Sequence, residues 1–258
     1  MRFSSFIISC ASVIGSARVE AGACGNDSSN AVGYVPVDST IPEGTAFDFG
    51  SNYAVINFDL INGIVAGVEN TAEGQTWINS TARWIDAVHA KTESPLQIFT
   101  SLYFQNGHPE TPDNSPFGLL IGALINNTAT SDASQIYSAF TVDTEGYANG
   151  TSRDVLIQKT RFDASYASQL LQILAAQNID TVVISGIKTS GVILSTVYTL
   201  FDLDYHIYVI SNNTIQSPTD EQANAPAIDL AIKGGILPNL SVDVINIDQA
   251  LAALAASG

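Results

Sequence analysis

Thr181-Val182-Val183-Ile184-Ser185-Gly186-Ile187-Lys188-Thr189-Ser190-Gly191-Val192-Ile193-Leu194 passes from an unbroken apolar run, through a turn marked by two glycines, into a second apolar run. A short run rich in β-branched residues, with no polar alternation, reads as a strand buried on both faces of a parallel sheet. The strand is expected over Thr181–Ser185 and a helix from about Ser190 to Phe201. Working outward, the alternation repeats. Upstream lie a strand over Ala54–Phe58, a helix within 71–91 with Trp77, Trp84, Ile85 and Val88 at helical spacing, and a strand over Leu96–Phe104. A further strand is expected at Asp154–Gln158 and a helix at Ala164–Gln177; downstream come a strand at His206–Ser211, a helix in part of 219–233, a strand at Val242–Asn246 and an alanine-rich helix at 248–256. Such alternation predicts an α/β fold of three layers (αβα): a doubly wound, Rossmann-like parallel sheet of about six strands.

Ligands of such sheets bind beyond the carboxyl ends of the strands. The positions that matter are therefore Asp59, Phe104–His108, Lys159, Gly186–Val192 and Asn212 with Asn213. Residues 105–152, with Pro109, Pro112 and Pro116 and many Asn, Ser and Thr, are the least regular part, and a loop that long is a functional segment or an insertion.

Bulk properties narrow the partners. The chain of 258 residues carries 25 acidic against 9 basic side chains, a formal charge of −16. That balance disfavours nucleic acid, whose counterions Lys and Arg must replace, and anionic membranes. A small-molecule substrate or ligand is the expected partner. Residues 1–23 read as a signal peptide: Arg2, a mostly apolar Phe6–Ile14 and a small-residue site at Ala21-Gly22-Ala23. A secreted, extracellular protein is expected, with residues 24–50 an irregular arm and 51–258 the folded domain. Asn-x-Ser/Thr sequons at Asn26, Asn79, Asn126, Asn149, Asn212 and Asn239 agree with passage through a glycosylating route. Cysteine occurs only at Cys10 and Cys24, so the predicted domain holds no disulfide, thiolate metal cluster or cysteine nucleophile of its own.

Three segments, in the right order, resemble the isochorismatase-like (cysteine hydrolase) family. Asn57-Phe58-Asp59-Leu60-Ile61-Asn62 is similar to the family's strand end with its aspartate; Gln158-Lys159-Thr160-Arg161-Phe162 to the segment with its lysine; and Gly186–Thr196 to its Gly-V-x-T-x-x-C-V turn into a helix. Asp202-Leu203-Asp204-Tyr205 resembles the end of that helix. The resemblance spans roughly 50–215, with 105–152 poorly matched, and the turn is closest to that of acidic secreted fungal members. It implies Asp59 and Lys159 as catalytic residues, no cofactor, and a homo-oligomer. The departures are specific: Val192 stands where the family has its nucleophilic cysteine, Ile61 where it has a glutamine, and Ser211-Asn212-Asn213 where it has Ser-Asp-Ala. The Asp-x-His metal pair of nicotinamidases is missing, so no metal is expected.

A valine cannot attack an amide carbon, which excludes the thiolate route. Isochorismatase itself works without cysteine, cleaving a vinyl ether whose hard step is protonation of an enol-ether carbon. That step needs a carboxylic acid with a raised pKa. Asp59 is the expected acid and Lys159 its partner, with Lys188 and Arg161 as cations for the substrate's carboxylates and Thr189, Gly191, Tyr103 and Phe104 around it. Each residue taken alone has a plainer account: an aspartate closing a strand as a turn residue, Ser190 as a helix cap, Gly186 and Gly191 as turn glycines, the aromatics as core. The competing reading is a catalytically inactive family member that binds a small molecule or a protein partner.

Overall fold

The computed structural model describes residues 37–146, 150, 152–217 and 225–258. The expected signal peptide and the sequons at Asn26 and Asn149 lie outside them. The elements run β1 (Tyr53–Phe58), α1 (Asn62–Val65), α2 (Ala72–His89), β2 (Leu96–Leu102), α3 (Pro116–Ile121), β3 (Asp154–Lys159), α4 (Leu170–Ala176), β4 (Thr181–Ile187), α5 (Leu194–Asp202), β5 (His206–Ile215), α6 (Ala225–Ala231), α7 (Leu237–Asn239), β6 (Asp243–Ile245) and α8 (Ile247–Ala256).

The strands form one sheet in the order β3-β2-β1-β4-β5-β6, and every neighbouring pair is parallel. This is the doubly wound arrangement expected from the sequence, with its reversal of strand order between β1 and β4. Alternation along β1 builds the layers. Ala54, Ile56 and Phe58 pack with Leu170 and Leu174 of α4 and Val197 and Leu200 of α5. Tyr53 and Val55 point the other way, toward Trp84 and Val88 of α2 and Ala250 and Ala253 of α8. The described part of the arm, 37–50, has no helix or strand. It is nonetheless anchored, because Phe49 is buried in the same cluster as Trp84 and Val55.

A polar row crosses the sheet on the α2 side. The Ser185 hydroxyl donates to Asn57 Oδ1 (2.6 Å), Asn57 Nδ2 to Gln97 Oε1 (3.1 Å) and Gln97 Nε2 to Asp154 Oδ1 (3.1 Å), where His89 Nε2 lies 2.9 Å from Asp154 Oδ2. The amides thus satisfy one another across four strands, as buried polar groups must.

Four expectations need correction. The helix after β3 begins at Leu170 rather than Ala164. Asp163 accepts from Ser165 N and Oγ and from Thr199 Oγ1, while Ser168 Oγ donates to Ala164 O, and such local side-chain bonds compete with helix formation. The β2 strand stops at Leu102, two residues early. β5 runs to Ile215 instead of Ser211, with an irregularity that moves its pairing from Ile184↔Val209 to Gly186↔Thr214. The buried ammonium of Lys233 donates to Ser211 O and Thr214 O and so fastens this bulge. Finally, residues 105–152 contain α3, which begins with Pro116 and is capped by Ser115 Oγ accepting from Gly118 N (3.0 Å).

Candidate active site

At the end of β1 the backbone of Asp59 turns into the left-handed region (φ 57°), which Asp tolerates better than most residues. Its side chain is nearly fully buried, and Oδ2 lies 2.8 Å from Nζ of Lys159, the last residue of β3, which is buried as well. Thr100 on β2 lies between these two strands in the sheet and holds both the carboxyl and the backbone of Asp59. Its hydroxyl donates to Asp59 Oδ1 (2.6 Å) and accepts from Asp59 N–H (2.9 Å). Burial pushes the Asp59 carboxyl above its ordinary range, against the lowering pull of the Lys159 charge and the hydrogen bonds from Lys159 and Thr100. Lys159 also donates to Arg161 O (2.9 Å).

The other wall of the site comes from β4. Gly186 pairs with Phe58 and has φ 131°, and a Cβ there would stand 2.3 Å from Phe58 O. Only glycine permits this approach of the two strands. The Ile187–Lys188 peptide is cis. A wide π-helical turn, Thr189–Ile193, then leads into α5. Ser190 is not its cap: its N–H is satisfied by Oε1 of Gln216, past the end of β5 (3.0 Å). The Ser195 hydroxyl donates back to Gly191 O (2.7 Å).

Asp59, Lys159, Lys188 and Val192 line one cavity of about 320 Å³. Its remaining lining is largely apolar: Ile64 from α1, Leu102 from β2, Phe117 and Leu120 from α3, Leu124 and Phe162. The segment that reads as irregular thus builds a whole wall of the site. Lys188 is half-buried, and burial pushes its amine down.

The other candidate residues lie elsewhere. Arg161 does not line the cavity; its guanidinium donates to Thr111 Oγ1 (2.5 Å), Thr160 O (2.6 Å) and Glu110 O (2.7 Å) and sits over the Phe117 ring. Phe104 is packed with Ile61 and Leu102, and Tyr103 accepts from Gln158 through its carbonyl (2.8 Å). Thr189 is buried with its hydroxyl unpartnered, and Gly191 packs against the Phe162 ring, where a Cβ would come within 3.0 Å. Asn213 faces α2, accepting from Ser80 Oγ (2.5 Å), and Asn212 caps Ile247 N–H (2.9 Å), so neither reaches the cavity. Sequence reasoning missed Thr100. A hydroxyl on a strand adjacent to Asp59 carries no motif, and only the register of β1 against β2 brings the two together. Among the described residues no group of three or more His, Cys, Asp or Glu side chains is placed to hold a metal ion.

A cavity over the switch point of a doubly wound sheet, with a buried Asp–Lys pair on its floor, defines the class: an α/β protein whose site lies at the carboxyl ends of β1, β3 and β4. Residues 53–228 match the model of the Isochorismatase domain, and the chain belongs to that family of hydrolases. The fold is shared by solved structures of low identity. An isochorismatase family protein from Burkholderia thailandensis is 21% identical with a TM-score of 0.62, covering 82% of this chain and 100% of its own. N-carbamoylsarcosine amidase from Thermoplasma acidophilum is 16% identical (TM-score 0.58; 76% of this chain and 97% of its own). A pyrazinamidase/nicotinamidase from Streptococcus mutans is 19% identical (TM-score 0.59; 75% of this chain and 99% of its own). Among curated protein sequences, none matches the chain significantly.

Proposed function

We propose that this chain is a secreted hydrolase that cleaves a small carboxylated vinyl ether without a cysteine nucleophile, using Asp59 as general acid and Lys159 as its partner. The observation that carries the reading is the buried 2.8 Å pair of Asp59 and Lys159 on the floor of a cavity where Val192 leaves nothing to act as a thiol. Holding such a pair out of water costs several kcal/mol per ion before their attraction is counted, so a site that retains it has a use for a carboxyl poised between its two protonation states. Burial favours the protonated form, which is the form a general acid needs.

In the reaction, the Asp59 carboxyl transfers its proton to the terminal enol-ether carbon. The positive charge that develops on the ether-bearing carbon is captured by water, and the proton released from that water returns to Asp59. The hemiketal collapses to a keto acid and an alcohol. Lys159 and Thr100 fix the carboxyl throughout, each through one oxygen. Secretion accords with the N-terminal sequence and with sequons at Asn79, Asn126 and Asn239, whose side chains are exposed.

The test is release of pyruvate from isochorismate and from a 2-alkoxyacrylate by the purified protein and by Asp59→Asn. Turnover of at least one of the two compounds by the wild type, lost in Asp59→Asn, is the expected result. Turnover that survives in Asp59→Asn overturns the role of Asp59. No turnover by either protein favours the second reading, a family member that uses the same cavity only to bind, which the valine at position 192 supports.

A further inference from the structure

The charges around the cavity are unevenly committed. Among the described residues, three cations belong to the segments that build it. Lys159 is held by Asp59 and Arg161 O, and Arg161 by three oxygens and the Phe117 ring. Of the three, Lys188 alone lines the cavity with no carboxylate of the described residues within 4.0 Å and no hydrogen bond from its ammonium to any of them. Burial without a compensating charge pushes its amine down, so a bound anion restores what burial takes away. Apart from Ser217 and the Asp59–Lys159 pair, the rest of the wall is apolar. Phe117 and Phe162 meet edge-to-face with ring centroids 5.4 Å apart. The entrance is apolar as well: Leu120 lines the cavity while remaining 60% exposed, and its neighbour Leu119 is 71% exposed. Leucines this open at the mouth of a cavity form a lip over which an apolar ligand enters.

We infer that this cavity selects an apolar acid with a single carboxylate, which pairs with Lys188 while the hydrophobic body lies against Phe117, Phe162 and Leu120. A second carboxylate would be buried against leucine and phenylalanine, because the other cation lining the cavity, Lys159, is already held by Asp59 and Arg161 O. The inference rests on the cavity being the substrate site. It narrows the carboxylated vinyl ether to one whose alkoxy group is hydrocarbon, and it turns away dianions such as isochorismate. A volume of about 320 Å³ lies at the low end for small-molecule sites and suits a body of naphthalene size.

Calorimetric titration of the intact protein with 2-naphthoate, naphthalene-2,6-dicarboxylate and 2-naphthamide separates the contributions, since none of the three contains a vinyl ether. The wild type is expected to bind 2-naphthoate at least about tenfold more tightly than the dicarboxylate or the amide. Lys188→Met is expected to lose at least about tenfold in affinity for the naphthoate and to hold the amide within about twofold, which also reports that the variant is folded. Three results overturn the inference: a dicarboxylate bound as tightly as the naphthoate, a naphthoate affinity unchanged in Lys188→Met, or no naphthoate binding by the wild type. The comparison of the three compounds needs no variant, so it stands even where Lys188→Met does not fold. Naphthoate binding without turnover of any vinyl ether removes the hydrolase reading alone. Turnover of isochorismate without naphthoate binding removes this inference alone.

Discussion

At Asp59 four interactions meet on one residue: a left-handed backbone, a hydroxyl that both donates and accepts, a buried ammonium, and a cavity wall. Removing one partner of a buried pair leaves the other charge stranded, at a cost of about 3–5 kcal/mol. Asp59→Asn is therefore expected to lower the unfolding free energy by about that amount. The double variant Asp59→Asn/Lys159→Met, which buries no charge, is expected to recover much of it, as denaturant titration of the three proteins will show. Thr100 acts on the carboxyl's acidity. Its hydrogen bond lowers the Asp59 pKa, so Thr100→Val leaves that pKa higher and the acid form persists to higher pH. The alkaline limb of the pH–rate profile is expected to move upward, together with a stability loss of about 1–3 kcal/mol from the unsatisfied Asp59 N–H; a merely structural Thr100 would lower stability and leave the limb in place.

The elements were largely legible in the sequence because they are buried on both faces. Short runs rich in β-branched and aromatic residues, such as Ala54–Phe58 and Thr181–Ser185, read as buried strands in a chain of this alternation. What escaped depends on distant contacts. The strand β5 continues past Ser211 because Lys233, from beyond α6, supplies a cation to its carbonyls. The wall built by α3 sits in a stretch whose prolines and polar residues hide a six-residue helix behind turn signals. The polar row across β4, β1, β2 and β3 was equally hidden, since Asn57 and Gln97 each look like lapses in an apolar strand until their register is known. Its outer end titrates. The hydrogen bond to Asp154 raises the His89 pKa above its ordinary value against the effect of burial, and the charges of Asp154, Asp86 and Asp143 add to the rise. A histidine raised in the folded state stabilises fully below its unfolded pKa and ceases to as pH climbs through the folded one. Burial pushes the Asp154 carboxyl up, but hydrogen bonds from His89, the Asp143 N–H and Gln97 hold it below the ordinary carboxylate range overall. Its contribution is therefore lost only in acid. Unfolding free energy is expected to fall as pH is raised from about 6.5 through the folded His89 pKa, and His89→Gln to flatten that fall, as measured by urea titration at each pH.

On the scale of the molecule, the formal charge is −16, while the proposed substrate is an anion. The long-range field would repel such a substrate, and the ammonium of Lys188, unpaired among the described residues, would attract it only at short range. Salt screens the long-range part, with a Debye length of about 10 Å at 0.1 M. KM for an anionic substrate is expected to fall as ionic strength rises from about 0.01 to 0.1 M, with kcat changing little, which initial rates at fixed pH will check. Asp59 and Lys159, singled out in the sequence at the carboxyl ends of β1 and β3, are brought together in the structure. The structure turns Arg161 away from the cavity toward Glu110 and Thr111, partners that no spacing reveals, and it places Asn212 and Asn213 within β5, where they meet Ile247 and Ser80 instead. The central claim is that Asp59 delivers a proton to carbon. It is tested most directly by the rate of pyruvate release from a 2-alkoxyacrylate in H2O and in D2O, by the wild type and by Asp59→Asn. Slower release in D2O by the wild type, and none above background by Asp59→Asn, is the expected result. Equal rates in the two solvents, with Asp59→Asn still turning over, would contradict it.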